Sequence, residues 1–211
     1  MFESFLDFLI PFSGVMLGAV SQGVLWGIMA LGVYITFKIL DFADMTVDGS
    51  FALGGCICAL LIVSGFNPLF AIFVAAVAGS LAGLLTGVLT TKLKIPGILA
   101  GILVQLALYS INLHVLGGPN QPLSRANKTI INWVNNALHL GDIFPVSATS
   151  LSALICGIIF TVLVILGLYW FFGTEIGCAV RATGGNEFMS RAQGINTDFM
   201  KILALMTANA L

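Results

Sequence analysis

An all-α, polytopic bundle of transmembrane helices is the fold class that three observations predict. Hydrophobic residues make up 59% of the chain, charged residues 8%, and mean hydropathy is +1.08. A soluble domain carries roughly a quarter charged residues. The apolar residues fall into long runs separated by short polar connections, with the few charges lying between the runs. Inside the runs, glycines recur at intervals of four: Gly14 and Gly18, Gly23 and Gly27, Gly79, Gly83 and Gly87, Gly97 and Gly101. Small residues at that spacing let helix backbones approach closely where lipid removes the hydrophobic drive for association.

The elements follow in order. Met1 to Phe12 contains Glu3 and Asp7 but neither Lys nor Arg, so it lacks the positive start of a secretory signal. Its Phe2, Phe5, Leu6, Phe8 and Leu9 suit an amphipathic stretch at the membrane interface. A helix rising ~1.5 Å per residue needs about 20 apolar residues to cross the hydrocarbon core. Ser13 to Phe37 is the first such run. Phe51 to Ser64 is a second, short one. Pro68 to Thr90, Pro96 to Leu116 and Ala148 to Phe172 are the third, fourth and fifth. A further span starts near Phe199 and is still apolar at Leu211, so the sequence is expected to be an N-terminal portion of a longer protein with several more spans, forming a single transmembrane domain.

Lys and Arg placement predicts orientation. With the N-terminus outside, the inner connections hold Lys38, Lys92, Lys94, Arg181, Arg191 and Lys201, and the outer ones only Arg125 and Lys128. The outer connection Gly117 to Ser147 holds Pro119, Pro122, Pro145 and Trp133, with a short helix expected around Ile130 to Leu138. His114 and His139 read as satisfied polar residues rather than functional ones.

Two segments carry the functional signal. Lys38 to Gly55 places Asp41, Phe42, Asp44, Asp48 and Gly49 ahead of the short span. A short span after a polar, Gly-containing break has the character of a discontinuous helix, which membranes tolerate only where it faces protein or water. The three Asp would share one face if the segment were helical. Lining of a translocation path or inner gate and an ordinary solvated turn are both open on the residues alone. The second segment, Gly173 to Lys201, is long for an inner connection. Asn186 suits an N-cap and Gly194 a C-terminal stop. Between them Phe188, Met189 and Ala192 fall on one face, and Glu187 pairs with Arg191 at i, i+4. Such a helix docks into a groove on a soluble partner or lies on the headgroups.

Several classes are disfavoured. Net charge is −1, so nothing argues for nucleic acid. No GxxxxGK[ST] loop, HExxH, GxSxG or metal-spaced Cys/His set is present, and Cys56, Cys58, Cys156 and Cys178 read as packing residues. Ionisable residues deep in the spans are essentially absent, which weighs against an ion-coupled carrier.

At its two distinctive segments the chain resembles the membrane permeases of ATP-binding-cassette importers, in the branched-chain amino acid permease family. Phe42 to Gly55 is similar to that family's Asn-Phe-Ala-led segment, although Asp41 precedes Phe42 here and Asp44-Met45 follow Ala43. That departure resembles a subgroup of tryptophan/tyrosine importers. Gly173-Thr174, Gly177, Arg181-Ala182 and Gly194-Ile195-Asn196-Thr197 match the family's coupling loop. The resemblance implies an inner-membrane permease that pairs with a second copy, expected as a homodimer. Cytoplasmic ABC ATPase subunits would dock on its coupling helix and an extracytoplasmic substrate-binding protein would deliver solute. ATP belongs to the partner, and the chain itself carries no cofactor, metal or catalytic residue. Arg181, Asn186, Glu187, Phe188, Met189, Arg191 and Gly194 are the expected coupling residues. A self-contained secondary transporter or channel is the alternative, and a membrane enzyme ranks third.

Overall fold

The structure, a computed structural model, describes residues 2–118, 120, 121, 129–132, 134 and 148–211, with the side chains of residues 2–13, 148 and 149 left aside. Pro119, Pro122, Arg125, Lys128, Trp133, His139 and Pro145 lie outside the described residues, as does most of the helix expected around Ile130 to Leu138.

The described residues form helices α1 (Phe2–Tyr34), α2 (Thr46–Val63), α3 (Pro68–Thr91), α4 (Gly97–Leu116), α5 (Ala148–Gly173), α6 (Glu175–Gly185), α7 (Glu187–Ala192) and α8 (Thr197–Asn209). A π-helical turn, Ile35–Ile39, continues α1. Five of these elements are long and apolar enough to cross a membrane: Gly14–Ile39, Thr46–Val63, Pro68–Thr91, Gly97–Leu116 and Ser150–Gly173. This is the expected polytopic bundle. One boundary differs. The second span begins at Thr46, five residues before the apolar run, so the break lies ahead of the span and Asp48 and Gly49 are inside it. Hydropathy missed those first turns because their polar side chains are satisfied by neighbouring helices.

Helix ends follow local chemistry. Asn67 accepts from Leu69 N at 3.1 Å ahead of Pro68 at the first position of α3. Gly117 ends α4 at φ 68, in the left-handed region that glycine enters without penalty.

Two compact units are distinguished, Met1–Ile28 with Lys128–Ile165, and Met29–Asn127 with Leu166–Leu211. In the first, α1 and α5 meet at small residues. A Cβ on Gly157 would lie 3.3 Å from Val24, and one on Gly18 3.7 Å from Ser150. Among the described residues, Gly14, Gly23 and Gly27 face nothing within 4 Å.

The second unit is built on α3. Its glycine stripe lies directly on the backbone of α8: a Cβ on Gly83 would run into the Leu205 carbonyl, one on Gly79 into that of Asn209, and one on Gly87 would come within 3.0 Å of Ile202. Leu205 and Ala204 are fully buried. On its other side α3 packs α2 and α4 through Leu53, Ala82, Val104 and Leu108. Gly101 and Gly97 of α4 lie against Met45 and the Phe42 ring. The regular spacing seen in sequence is thus helix packing on α3 and α4.

Overpacking costs about 1–3 kcal/mol per site. Gly83→Val is expected to exceed that range, because the obstacle is backbone rather than a movable side chain. The thermal midpoint of the purified protein should fall well below that of Gly167→Ala, a glycine with nothing within 4 Å. Equal midpoints would overturn the close α3–α8 packing.

Candidate functional site

The break after α1 is the first functional region. In the π turn Leu40 N donates to Ile35 O at 3.1 Å, and Phe42 N then reaches Thr36 O at 2.9 Å. Asp41 sits at φ 53, a left-handed conformation that Asp enters more readily than most residues. Asp41 and Asp44 are therefore not helical, and the single-face arrangement of Asp41, Asp44 and Asp48 does not form.

The three carboxylates occupy different environments. Asp44 is buried, and both its oxygens are engaged: Thr46 N donates to Oδ1 at 2.8 Å and Asn209 Nδ2 donates to Oδ2 at 2.8 Å. Asn209 Oδ1 accepts from Ser50 Oγ at 2.7 Å. Beside this cluster the Thr46 and Thr86 hydroxyls meet at 2.7 Å. One polar network thus joins the break, α2, α3 and α8. Asp48 is exposed and accepts from Gln105 Nε2 of α4 at 3.0 Å, while Asp41 is exposed at the turn itself. Gly49 is buried where a Cβ would lie 3.2 Å from Leu108 and 3.3 Å from Gln105, so it is a close-approach point between α2 and α4. Asn209, Ser50, Thr46 and Thr86 were not singled out in sequence. Scattered polar residues inside apolar runs were the available signal.

The second region is α6 to α8. Thr174 Oγ1 accepts from Gly177 N at 3.3 Å and caps the start of α6. Arg181 turns back to cap α5, donating to Phe172 O at 3.0 Å. Asn186 caps α7 by accepting from Met189 N at 3.0 Å. Gly194 ends the segment at φ 86.

Ion pairs hold α7 against α8. Lys201 donates to Glu187 at 2.6 Å. Arg191 bonds Glu187 at 3.3 Å, Asp198 at 3.2 Å and Thr197 Oγ1 at 2.9 Å. The Lys201 hydrogen bond, helped by the charges of Lys201 and Arg191, holds the Glu187 carboxyl below the usual carboxylate range against its partial burial. This pairing turns the charged side of α7 inward. Phe188 is left 89% exposed and Met189 60% exposed. A polar cavity of about 470 Å³ opens beside α7, lined by Phe42, Lys94, Glu187, Arg191, Asp198 and Lys201 among others.

The profile of the branched-chain amino acid transport system / permease component family matches residues 15–211. The chain belongs to that family. It is 39% identical over 199 residues to the tyrosine transport system permease protein of Clostridioides difficile (strain R20291), covering 94% of this chain and 61% of that one. An uncharacterized protein of Rickettsia prowazekii (strain Madrid E) is 27% identical over 202 residues, 93% of this chain and 64% of its own. The ribose import permease protein RbsC of Escherichia coli (strain K12) is 28% identical over 177 residues, 83% of this chain and 51% of its own. The chain thus spans between half and two thirds of the length of these relatives. No solved structure matches it.

Two outcomes follow from the geometry. Asn209→Leu leaves one Asp44 oxygen and the Ser50 hydroxyl without their partner, at a cost of about 1–3 kcal/mol or more for a charged group. The thermal midpoint should drop, whereas Asp48→Asn, at an exposed position, should stay within about 0.5 kcal/mol of the parent. Glu187 has a lowered pKa in the folded state, so its contribution is full above the ordinary carboxylate pKa and is lost as pH falls through the depressed value. Glu187→Gln should therefore speed amide exchange of residues 187–193 at pH 7, with the ratio to the parent shrinking under acid. A ratio independent of pH would refute the ion-pair origin.

Proposed function

We propose that this chain is the transmembrane subunit of an ATP-binding-cassette importer that carries an amino acid, an aromatic one first, into the cell by alternating access. Family membership and the 39% identity to a tyrosine transport system permease support the class of solute. In this reading the protein is a multi-pass component of the inner membrane with its N-terminus outside. It pairs with a second copy and receives solute from an extracytoplasmic binding protein. ATP is bound and hydrolysed by cytoplasmic ATPase subunits that seat on α7. Asp41 and Asp48 are the carboxylates available to line the path or its inner gate, since Asp44 is committed to the buried network.

The observation that carries this proposal is the presentation of α7. A six-residue helix cannot hold itself together, because nucleation outweighs so few hydrogen bonds. Asn186, Glu187 and Arg191 nevertheless fix it on α8, and its two large apolar side chains project into solvent. That arrangement offers Phe188 and Met189 as anchors for a soluble partner. Arg181 enters indirectly, by holding the end of α5 beside the loop.

Phe188→Asp in the full complex, reconstituted with its ATPase subunits and binding protein, is the test. An apolar anchor at an interface centre is worth about 2 kcal/mol or more. Substrate-stimulated ATP hydrolysis should fall about tenfold or more while membrane insertion is unchanged. Unaltered stimulation would defeat the assignment of α7 as the docking helix. Uptake by the purified permease without ATPase subunits would favour a self-contained carrier or channel.

A further inference from the structure

The cavity beside α7 has a charge imbalance that the docking role does not use. Lys94, Arg191 and Lys201 line it against two carboxylates, Glu187 and Asp198. Both carboxylates are already matched, Glu187 by Lys201 and Arg191, and Asp198 by Arg191. Lys94 has no ion pair among the described residues and is exposed. The cavity therefore holds one positive charge in excess, at the link between α3 and α4.

The surroundings of that link are those of a membrane–water boundary. Leu93 is 63% exposed, Ile98 54% and Leu99 50%, so apolar side chains flank Lys94 on both sides in sequence. At the end of α5 Tyr169 and Trp170 are exposed as well. Aromatic residues of that kind mark the headgroup level, and basic pockets between spans suit lipid headgroups.

We propose that this cavity holds the phosphodiester headgroup of an anionic phospholipid, with Lys94 as its ion partner and Lys201 and Arg191 on the opposing wall. Inorganic phosphate offers the same oxygens to the same cations. The lipid is favoured on three grounds. A phosphodiester carries the single negative charge that balances the cavity. The volume of about 470 Å³ exceeds what a phosphate alone would fill and leaves room for a polar headgroup. Leu93, Ile98 and Leu99 supply apolar surface for acyl chains beside the charged mouth.

The full-length protein in mild detergent is titrated with phosphatidylglycerol or phosphatidylcholine, and bound lipid is counted by native mass spectrometry. Each Lys near an anionic surface contributes about 1 kcal/mol, or about fivefold in affinity. Phosphatidylglycerol should be retained about fivefold over phosphatidylcholine, and Lys94→Gln should abolish that preference. Lys92→Gln is the control, since Lys92 is exposed two residues away and does not line the cavity. It should leave the preference intact. Equal loss in both variants would mean general attraction to an anionic surface and would overturn the site. Absence of any preference in the parent protein would do the same. Displacement of phosphatidylglycerol by millimolar inorganic phosphate would reassign the cavity to a soluble anion. A thermal midpoint for each variant separates lost binding from lost folding. If Lys94→Gln fails to fold, Lys94→Arg keeps the charge and should keep the preference.

Discussion

The contact between the glycine stripe of α3 and the backbone of α8 is the constraint on which the second unit depends. Lipid offers no hydrophobic reward for bringing two apolar helices together, so close packing must supply the attraction. At Gly79, Gly83 and Gly87 there is no Cβ to hold the helices apart. The approach has consequences at both ends of α8. At one end it delivers Asn209 to the Asp44 carboxylate. At the other it presents Lys201 to Glu187 of α7.

The Asp44 network answers a problem created by the break. A helix interrupted within a membrane protein leaves backbone groups unpaired, and each costs several kcal/mol in an apolar setting. The π turn recovers some of them by reaching back to Ile35 and Thr36. Asp44 then accepts from the Thr46 amide and from the Asn209 side-chain amide. A buried carboxylate is acceptable here because both oxygens are hydrogen-bonded. The network ties the break to α8 through Asn209 and to the first turns of α2 through Thr46 and Ser50.

Much of the fold was legible because bilayer solvent imposes a simple pattern. Apolar runs of about 20 residues located the long spans to within a few residues. Caps at Asn186 and Gly194 and the Glu187–Arg191 pair were legible because they are local, within one turn of helix. The start of α2 was not, since Thr46, Asp48 and Ser50 look like loop residues until α3, α4 and α8 provide their partners. Asn209 was equally silent, 165 residues from the Asp44 it serves. The separation of three similar aspartates into one buried and two exposed groups depends on such distant contacts. Periodicity on a single segment carries no information about them.

The proposed mechanism requires that force applied to α7 reach the spans. Its exposed apolar side would receive a partner, and its charged side is joined to α8 by Glu187 and Lys201. From α8 the route continues onto α3, through direct backbone contact at Gly79 and Gly83 and through Ile202 at Gly87. Asn209 then joins α8 to the break ahead of α2. The break is the least regular backbone on that route, with a π turn and a left-handed Asp41 in place of regular helix. A rigid train ending on an irregular hinge converts a small push into a change of helix direction, because packed helices shift as units while the irregular turn takes up the difference in φ and ψ. Spatial continuity makes this route available. The buried hydrogen bonds at its far end make it specific, since Asn209 can follow α8 only if Asp44 moves with it.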